Sequence, residues 1–370
     1  MKFKLKKSEH LDKFQLFNKI DKLKMSTREN KSINGDSLIF HAYEGKLFIY
    51  LSTGISAAYT YLCDFEDDFI DFAVDCNTFT NAFTNFPTDE IQFAFIEAEN
   101  QLVFGNKKTR VSLKTSKAEN INVKISNEFF INDNLDFVKY DVTSFINAIK
   151  YTSFSCAPDF EEYPYSSIMF FISDNKFNAQ SSDKHRISMY GKKYDNEQSF
   201  LLSKNQAELS LNFVDKNSTF SIHKNKMVIK NNGNYFCTNV ELNTFQSVHN
   251  GFKRFFDSNY ITNINFSKSE FLKSLKFINN ISGSILFNLS TSGKEIILTS
   301  SGDNSGGAAD KITCDDELED LNVSYLTNHF MKILDIINQE NINAYFYDFN
   351  TYTICILQSD NFHHIMFPME

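Results

Sequence analysis

The chain is 370 residues long, 42% hydrophobic and 22% charged, which is enough for two or three separate cores. Its net charge of −9 excludes a uniformly basic nucleic-acid binder; a polyanion partner would have to be held by lysines gathered on one surface, where the local field decides. No apolar run approaches the roughly 18 residues of a membrane span, the opening MKFKLKKSEH has no apolar signal core, and the expected location is cytoplasmic. Six cysteines (Cys63, Cys76, Cys156, Cys237, Cys314 and Cys355) lack a CxxC pair or a neighbouring histidine spacing. They suggest neither a zinc site nor a disulfide framework and read as small buried hydrophobes, with no cofactor expected.

Taken in order, residues 11–25 carry a helical pattern. Ser37 then opens SLIFHAYEGKLFIYLST, an apolar run, a polar turn and a second alternating run, which is a β-hairpin signature. A second helical stretch follows at 78–86, and Asn100 opens another strand pair, NQLVFGNKKTRVSL. The same order then returns: helix at 142–154, hairpin from Ser167 (SIMFFISDNKFNAQSSD), helix at 203–213, strand pair from Asn225 (NKMVIKNNGNYFCT). It returns once more as helix 267–281, hairpin from Ser284 (SILFNLSTSGKEIILTS), helix 324–337 and a worn strand pair from Asn350. The chain therefore reads as three copies of one α+β unit, with domains at 1–127, 128–258 and 259–370, each placing helices against one face of antiparallel sheet. Residues 300–310 (SSGDNSGGAAD) read as a mobile loop.

At 100° per residue the first helices of the repeats sort into two faces. Phe14, Leu16, Phe17, Ile20 and Leu23 oppose Gln15, Asn18, Lys19 and Lys22. Val142, Phe145, Ile146 and Ile149 oppose Asn147, Lys150 and Tyr151, and Phe271, Leu272, Leu275 and Ile278 oppose Lys273, Lys276 and Asn280. Lys204 and Lys332 occupy polar faces of the later helices. Lysines on one helix face are ordinary solvation, but recurrence in three related units predicts a single basic surface. With helices turned inward around a centre, Lys19, Lys22, Lys150, Lys204, Lys273, Lys276 and Lys332 would line a hole that holds duplex DNA by its phosphates without reading sequence.

Three motifs add a family resemblance. Ser182-Asp183-Lys184-His185-Arg186-Ile187, Leu321-Asn322-Val323-Ser324-Tyr325 and Ile365-Met366-Phe367-Pro368-Met369 resemble the TDGHRL, FNVSY and VMPM-type signatures of the bacterial DNA polymerase III β subunit, the sliding clamp. The opening MKF, the EHL at Glu9–Leu11 and the segment Leu102–Leu113 are similar to that family too. The resemblance implies a non-catalytic processivity factor: a head-to-tail homodimer whose six domains close a ring around duplex DNA, helices inside and sheets outside. It also implies a clamp loader that opens the ring and a replicative polymerase that docks by a short peptide between domains two and three. The matching positions for that peptide are Tyr165, Ser182, Lys184, His185, Arg186, Ile187, Arg254, Phe255, Asn322, Tyr325, Ile365, Met366, Phe367, Pro368 and Met369. By family position Val111 and Leu113, flanked by Lys107, Lys108 and Arg110, would meet Phe277 and Ile278 of a second copy, with Asp303 and Asp310 as acidic counterparts. Lys184 stands where the family has Gly, Asn250-Gly251 replaces Pro-Asp, and the sequence given stops at Glu370 without the family's final basic residue and Leu. These departures fit a diverged member, such as one carried by a phage or another mobile genome.

Two other readings compete. Asp183, His185 and Arg186 form a titratable cluster, but a lone D-x-H-R comes without a nucleophile motif, a phosphate loop or metal spacing, so no catalytic residue is assigned. His363-His364 point to opposite strand faces and read as ordinary strand positions. A β-rich structural or adhesion repeat protein is the alternative, and it leaves the helix lysines unexplained.

Overall fold

The computed structural model describes residues 2–23, 37–65, 71–130, 135–158, 164–191, 198–242, 260–302, 306–349, 352–359 and 361–369. The predicted positions Arg254, Phe255 and Asp303 lie outside these residues. The chain divides into two compact units, one of residues 1–142 with 205–241, the other of residues 143–204 with 242–370.

In the first unit an eight-stranded antiparallel sheet runs in the order Thr219–His223, Lys226–Asn231, Asn234–Asn239, Ser56–Asp64, Lys46–Ser52, Ser37–Tyr43, Phe72–Asp75, Ser116–Lys117. Its seam joins the first and second repeats, pairing Tyr235 with Tyr59 and Cys237 with Ala57. The Ile121–Phe129 helix lays Ile121, Ile125 and Phe129 over that seam. A four-stranded sheet, Lys2–Lys6, Glu90–Ile96, Gln101–Gly105 and Arg110–Lys114, completes the unit. The Lys7–Leu23 and Cys76–Thr84 helices supply the core rings. Phe14 meets Phe79 and Phe83 edge-on at 4.8 and 4.7 Å, and Phe93 stacks on Phe104 at 5.0 Å. A core of phenylalanines without tryptophan fits this spacing, each ring pair adding about 0.5–1.5 kcal/mol beyond its buried area. Asp75 caps the second helix, its carboxylate accepting the Thr78 N–H at 2.7 Å.

The second unit holds a larger antiparallel sheet, in which Gln198–Ser203, Ser167–Ser173, Lys176–Ser182, Arg186–Tyr190, Phe362–Met366, Tyr352–Ser359, Asn341–Phe349 and Thr262–Ser267 are successive neighbours. Here the seam joins the second and third repeats, Ile187 opposite Ile365 and Ser188 opposite His364. The Lys268–Ser282 helix starts where Ser267 accepts the Glu270 N–H and stops at Gly283, whose φ of +60° only glycine adopts cheaply. Phe271, Leu275 and Ile278 bury its inner face.

The third repeat follows the predicted order with two corrections. The extended segment Leu286–Gly302 folds back on itself around Gly293, because Ser300 Oγ donates to the Leu286 carbonyl at 2.8 Å although a straight strand would hold them about 45 Å apart. Its second limb then pairs with the start of the Gly306–Leu326 strand, so most of the stretch predicted as a loop is strand, with Ser300 paired to Ala308 and Gly302 to Gly306. Small residues there pack as a strand end rather than a coil. The final helix begins at Thr327 rather than Ser324, because alternation carries Tyr325 into the core at the end of the Gly306–Leu326 strand. Of the cysteines, five are buried and Cys63 is partly so, as expected of small hydrophobes.

Candidate DNA, peptide and self-association surfaces

Each predicted helix lysine lies where periodicity placed it. Lys19, Lys22, Lys150, Lys273, Lys276 and Lys332 are exposed, and Lys204 is half-buried at the start of its helix. In the second repeat the buried face is rotated from the predicted one. Ser144, Phe145, Ala148, Ile149 and Thr152 face inward while Ile146 is 39% exposed, because Ser144 Oγ is used inside, accepting the Phe177 N–H.

The peptide candidates centre on a tight turn, Ser182 to Arg186. Asp183 holds it: Oδ1 accepts the N–H groups of His185 and Arg186 at 3.2 and 3.1 Å, and Oδ2 accepts Arg186 Nε at 2.7 Å. Arg186 lies over the Phe154 ring, its Cζ 5.6 Å from the centroid, while its Nη1 is buried without a partner among the described residues. The acid and the guanidinium therefore serve the turn. Lys184, at φ +77°, is in the left-handed region where the family's glycine would be unstrained, and its Nζ sits 5.0 Å from the centre of the Tyr165 ring. Lys184→Gly is expected to leave stability unchanged or raise it by up to about 1 kcal/mol while uncovering Tyr165. Urea unfolding checks this, and a clear loss of stability would show that the lysine–ring contact outweighs the strain.

The C-terminal segment closes the other side. Phe367 N–H donates to the His185 carbonyl at 3.2 Å and Met369 N–H to the Ser324 carbonyl at 3.0 Å. Phe367 packs against the cluster of Ile187, Met189, Tyr347, Ile354, Ile356 and Ile365. Tyr165, Ser182, Lys184, His185, Asn322, Phe367, Pro368 and Met369 are thus left partly or fully accessible, whereas Arg186, Ile187, Ile365 and Met366 are buried beneath them. Tyr325 departs from its predicted role at the cleft edge. It is 1% exposed, its hydroxyl donating to the Thr353 carbonyl at 3.3 Å, so it supports the site from inside. Asn322 is exposed and accepts from Asn288 Nδ2 at 2.7 Å.

Two histidines near this turn escaped the sequence reading in part. His329, on the Thr327–Ile336 helix, is pushed down to about 4 by burial and by the neighbouring Arg186. Burial likewise drives His364 well below the ordinary histidine range, with Arg186 adding to it; its Nδ1 is 2.8 Å from Ser188 Oγ. Both are neutral near pH 7. Phe154 and His329 approach the turn through tertiary packing and have no motif of their own.

For self-association the Arg110–Lys114 strand is an outer edge of its sheet, with Val111 and Leu113 half-buried between exposed Arg110, Ser112 and Lys114. Lys107 and Lys108 are exposed in the preceding turn. Phe277 is 49% exposed, as a contact with a second copy requires. Ile278 is corrected: it is fully buried in its own repeat's core, whereas Ile281, one turn from Phe277, is 44% exposed.

No protein-family model matches the sequence, and no curated protein matches it significantly. Solved structures match over the full chain. The DNA polymerase III β subunit from Thermotoga maritima superposes with a TM-score of 0.80 at 18% identity, covering 100% of this chain and 99% of that one. The sliding clamp from Bacillus subtilis and the β subunit from Borrelia burgdorferi, solved with a natural product, each give 0.81 at 13% identity with the same coverage. The chain has the sliding-clamp fold. The clamp fold accounts for the three α+β repeats and for sheets shared between successive repeats.

Proposed function

We propose that the chain is a DNA sliding clamp that encircles duplex DNA and tethers a replicative polymerase. Its domains are taken as residues 1–127, 128–258 and 259–370, and two copies close head to tail with helices inside. The observation that carries this reading is the full-length clamp fold combined with exposed lysines on the helices of all three repeats. Such a ring has no chemistry to perform. Its lysines contact phosphates weakly enough to slide, a clamp loader opens it, and polymerase peptides dock around Tyr165, His185 and Phe367. A cytoplasmic location follows from this role.

Encirclement is tested topologically. Direct binding to linear duplex is expected to be weak and to fall steeply with salt, each lost phosphate contact reducing the slope by roughly one. After loading on closed circular DNA the protein should persist at salt that abolishes direct binding, and should be released when the circle is cut. Equal retention on cut and intact circles would sink the proposal.

A further inference from the structure

The four-stranded sheet of the first repeat buries Phe3, Leu5, Ile91, Phe93, Leu102 and Phe104 against the helices. Its other face carries an uneven charge. Lys2, Lys4 and Lys6 are all exposed, alternating along the edge strand at about 6.8 Å per step. The neighbouring strand places Ala94, Gln92 and Glu90 beside them, and beyond lie Val103 and Gly105, then Ser112 and Arg110. Two adjoining depressions of about 1020 and 340 Å³ run along this region and share Lys4, Gln92, Gly105 and Asn106. Gly105 has no side chain to block the way from Lys4 to Arg110.

Most of these cations are available. Lys6 pairs with Glu9 at 2.9 Å, and Lys13 donates to the Tyr61 carbonyl, but Lys2 and Lys4 form no ion pair among the described residues; Lys107 and Arg110 likewise form none there, and they flank the proposed contact with a second copy. His10 lines the larger depression, is 7% exposed, and its Nδ1 has no partner among the described residues. Lys2, Lys4, Lys6, Lys13, Lys107 and Arg110 face Glu9, Asp64 and Glu90 in the same lining, which leaves the region cationic in a chain of net charge −9.

We infer that this face is a trough for the phosphate backbone of single-stranded DNA, separate from the duplex held by the helix lysines. A protein partner would need buried aromatic or aliphatic anchors at its centre, and the middle of this face offers Gln92, Ala94 and Gly105. A duplex presents two phosphate rows, whereas only the Lys2–Lys6 row is continuously cationic, with a spacing suited to successive phosphates of one extended strand. Of the aromatic side chains lining the depressions, Phe3, Phe93 and Phe104 are buried and Tyr61 is partly exposed, so among the described residues no aromatic row stacks bases, and binding is independent of sequence and governed by salt. The choice of DNA rests on the clamp reading; the trough itself does not.

The test uses full-length protein and a fluorescent oligothymidylate at low salt. Lys2→Glu with Lys4→Glu is expected to weaken binding by about tenfold or more and to lower the salt slope by about two. The pair lies on the sheet edge opposite the Arg110–Lys114 strand, so oligomeric state and retention on circular duplex should be unchanged. Lys2→Ala with Lys4→Ala, free of introduced repulsion, should show a smaller loss in the same direction. Unchanged oligothymidylate binding in both variants, or wild-type protein that binds polyglutamate or linear duplex as tightly as oligothymidylate, would overturn the inference. Loss of circular retention in wild-type protein would instead overturn the clamp reading and leave the trough standing.

Discussion

Replacing Phe277 and Ile281 with aspartate is expected to convert the protein from dimer to monomer. These side chains are 49% and 44% exposed on one stripe of the Lys268–Ser282 helix, and Ile285, just beyond it, is 70% exposed. Burying each against a second copy's Val111 and Leu113 would contribute roughly 1.5–3 kcal/mol, and a closed ring makes the contact twice. A carboxylate in their place adds the cost of an unpaired buried charge. Flanking Lys107, Lys108 and Arg110 contribute less, since exposed ion pairs are worth about 0–1 kcal/mol. Light scattering reads the outcome, with thermal unfolding as the control for folding. The matching change at Ile278 should unfold the third repeat instead, because Ile278 is fully buried beside Phe271 and Leu275. A Phe277→Asp, Ile281→Asp protein that stays dimeric at low concentration would show that the interface lies elsewhere.

Deleting residues 367–370 should weaken peptide docking by about tenfold or more without opening the dimer. The deletion removes Phe367 from its apolar cluster and breaks the backbone bonds from Phe367 to His185 and from Met369 to Ser324. A docking peptide would then lose one wall of its cleft. One lost anchor of roughly 1.5–3 kcal/mol is about a tenfold to hundredfold drop in affinity. Fluorescence anisotropy with a clamp-binding peptide measures it, and polymerase stimulation should fall in parallel. The strand Phe362–Met366 and its pairing with Arg186–Tyr190 remain, so the seam should hold. Peptide binding equal to that of the full chain would mean the cleft is misplaced.

Much of this architecture was legible because it is repeated. Hairpin and helix signals that are weak once become strong when the order recurs, and the lysine positions followed from helical period alone. Failures came where a residue's period fitted two roles or where packing overrode it. Ile278 satisfied both the core stripe and the family's contact position, and only its burial separates them. Hydrophobicity alone places Ile146 inward, yet the helix turns to bring Ser144 to the Phe177 N–H. Tyr325 looked like an accessible ring until the strand extended past Ser324. The site turn was recognisable from its motif, but His329 and Phe154 reach it from separate elements, and no spacing in one sequence reveals that.

The two sheet seams also constrain how the chain is made. Tyr59 must wait for Tyr235, and Ile187 for Ile365, each pairing spanning nearly half the chain. The middle repeat is divided between these closures and completes neither alone. Loop closure over such distances adds little equilibrium cost but slows folding. During synthesis the Ser56–Asp64 strand, and later Arg186–Tyr190, remain as open edges until their partners emerge, when an unpaired edge is most prone to the wrong neighbour. A nascent chain halted between repeats is therefore an aggregation hazard rather than a smaller folded unit, and the second unit closes only when Phe362–Met366 has emerged.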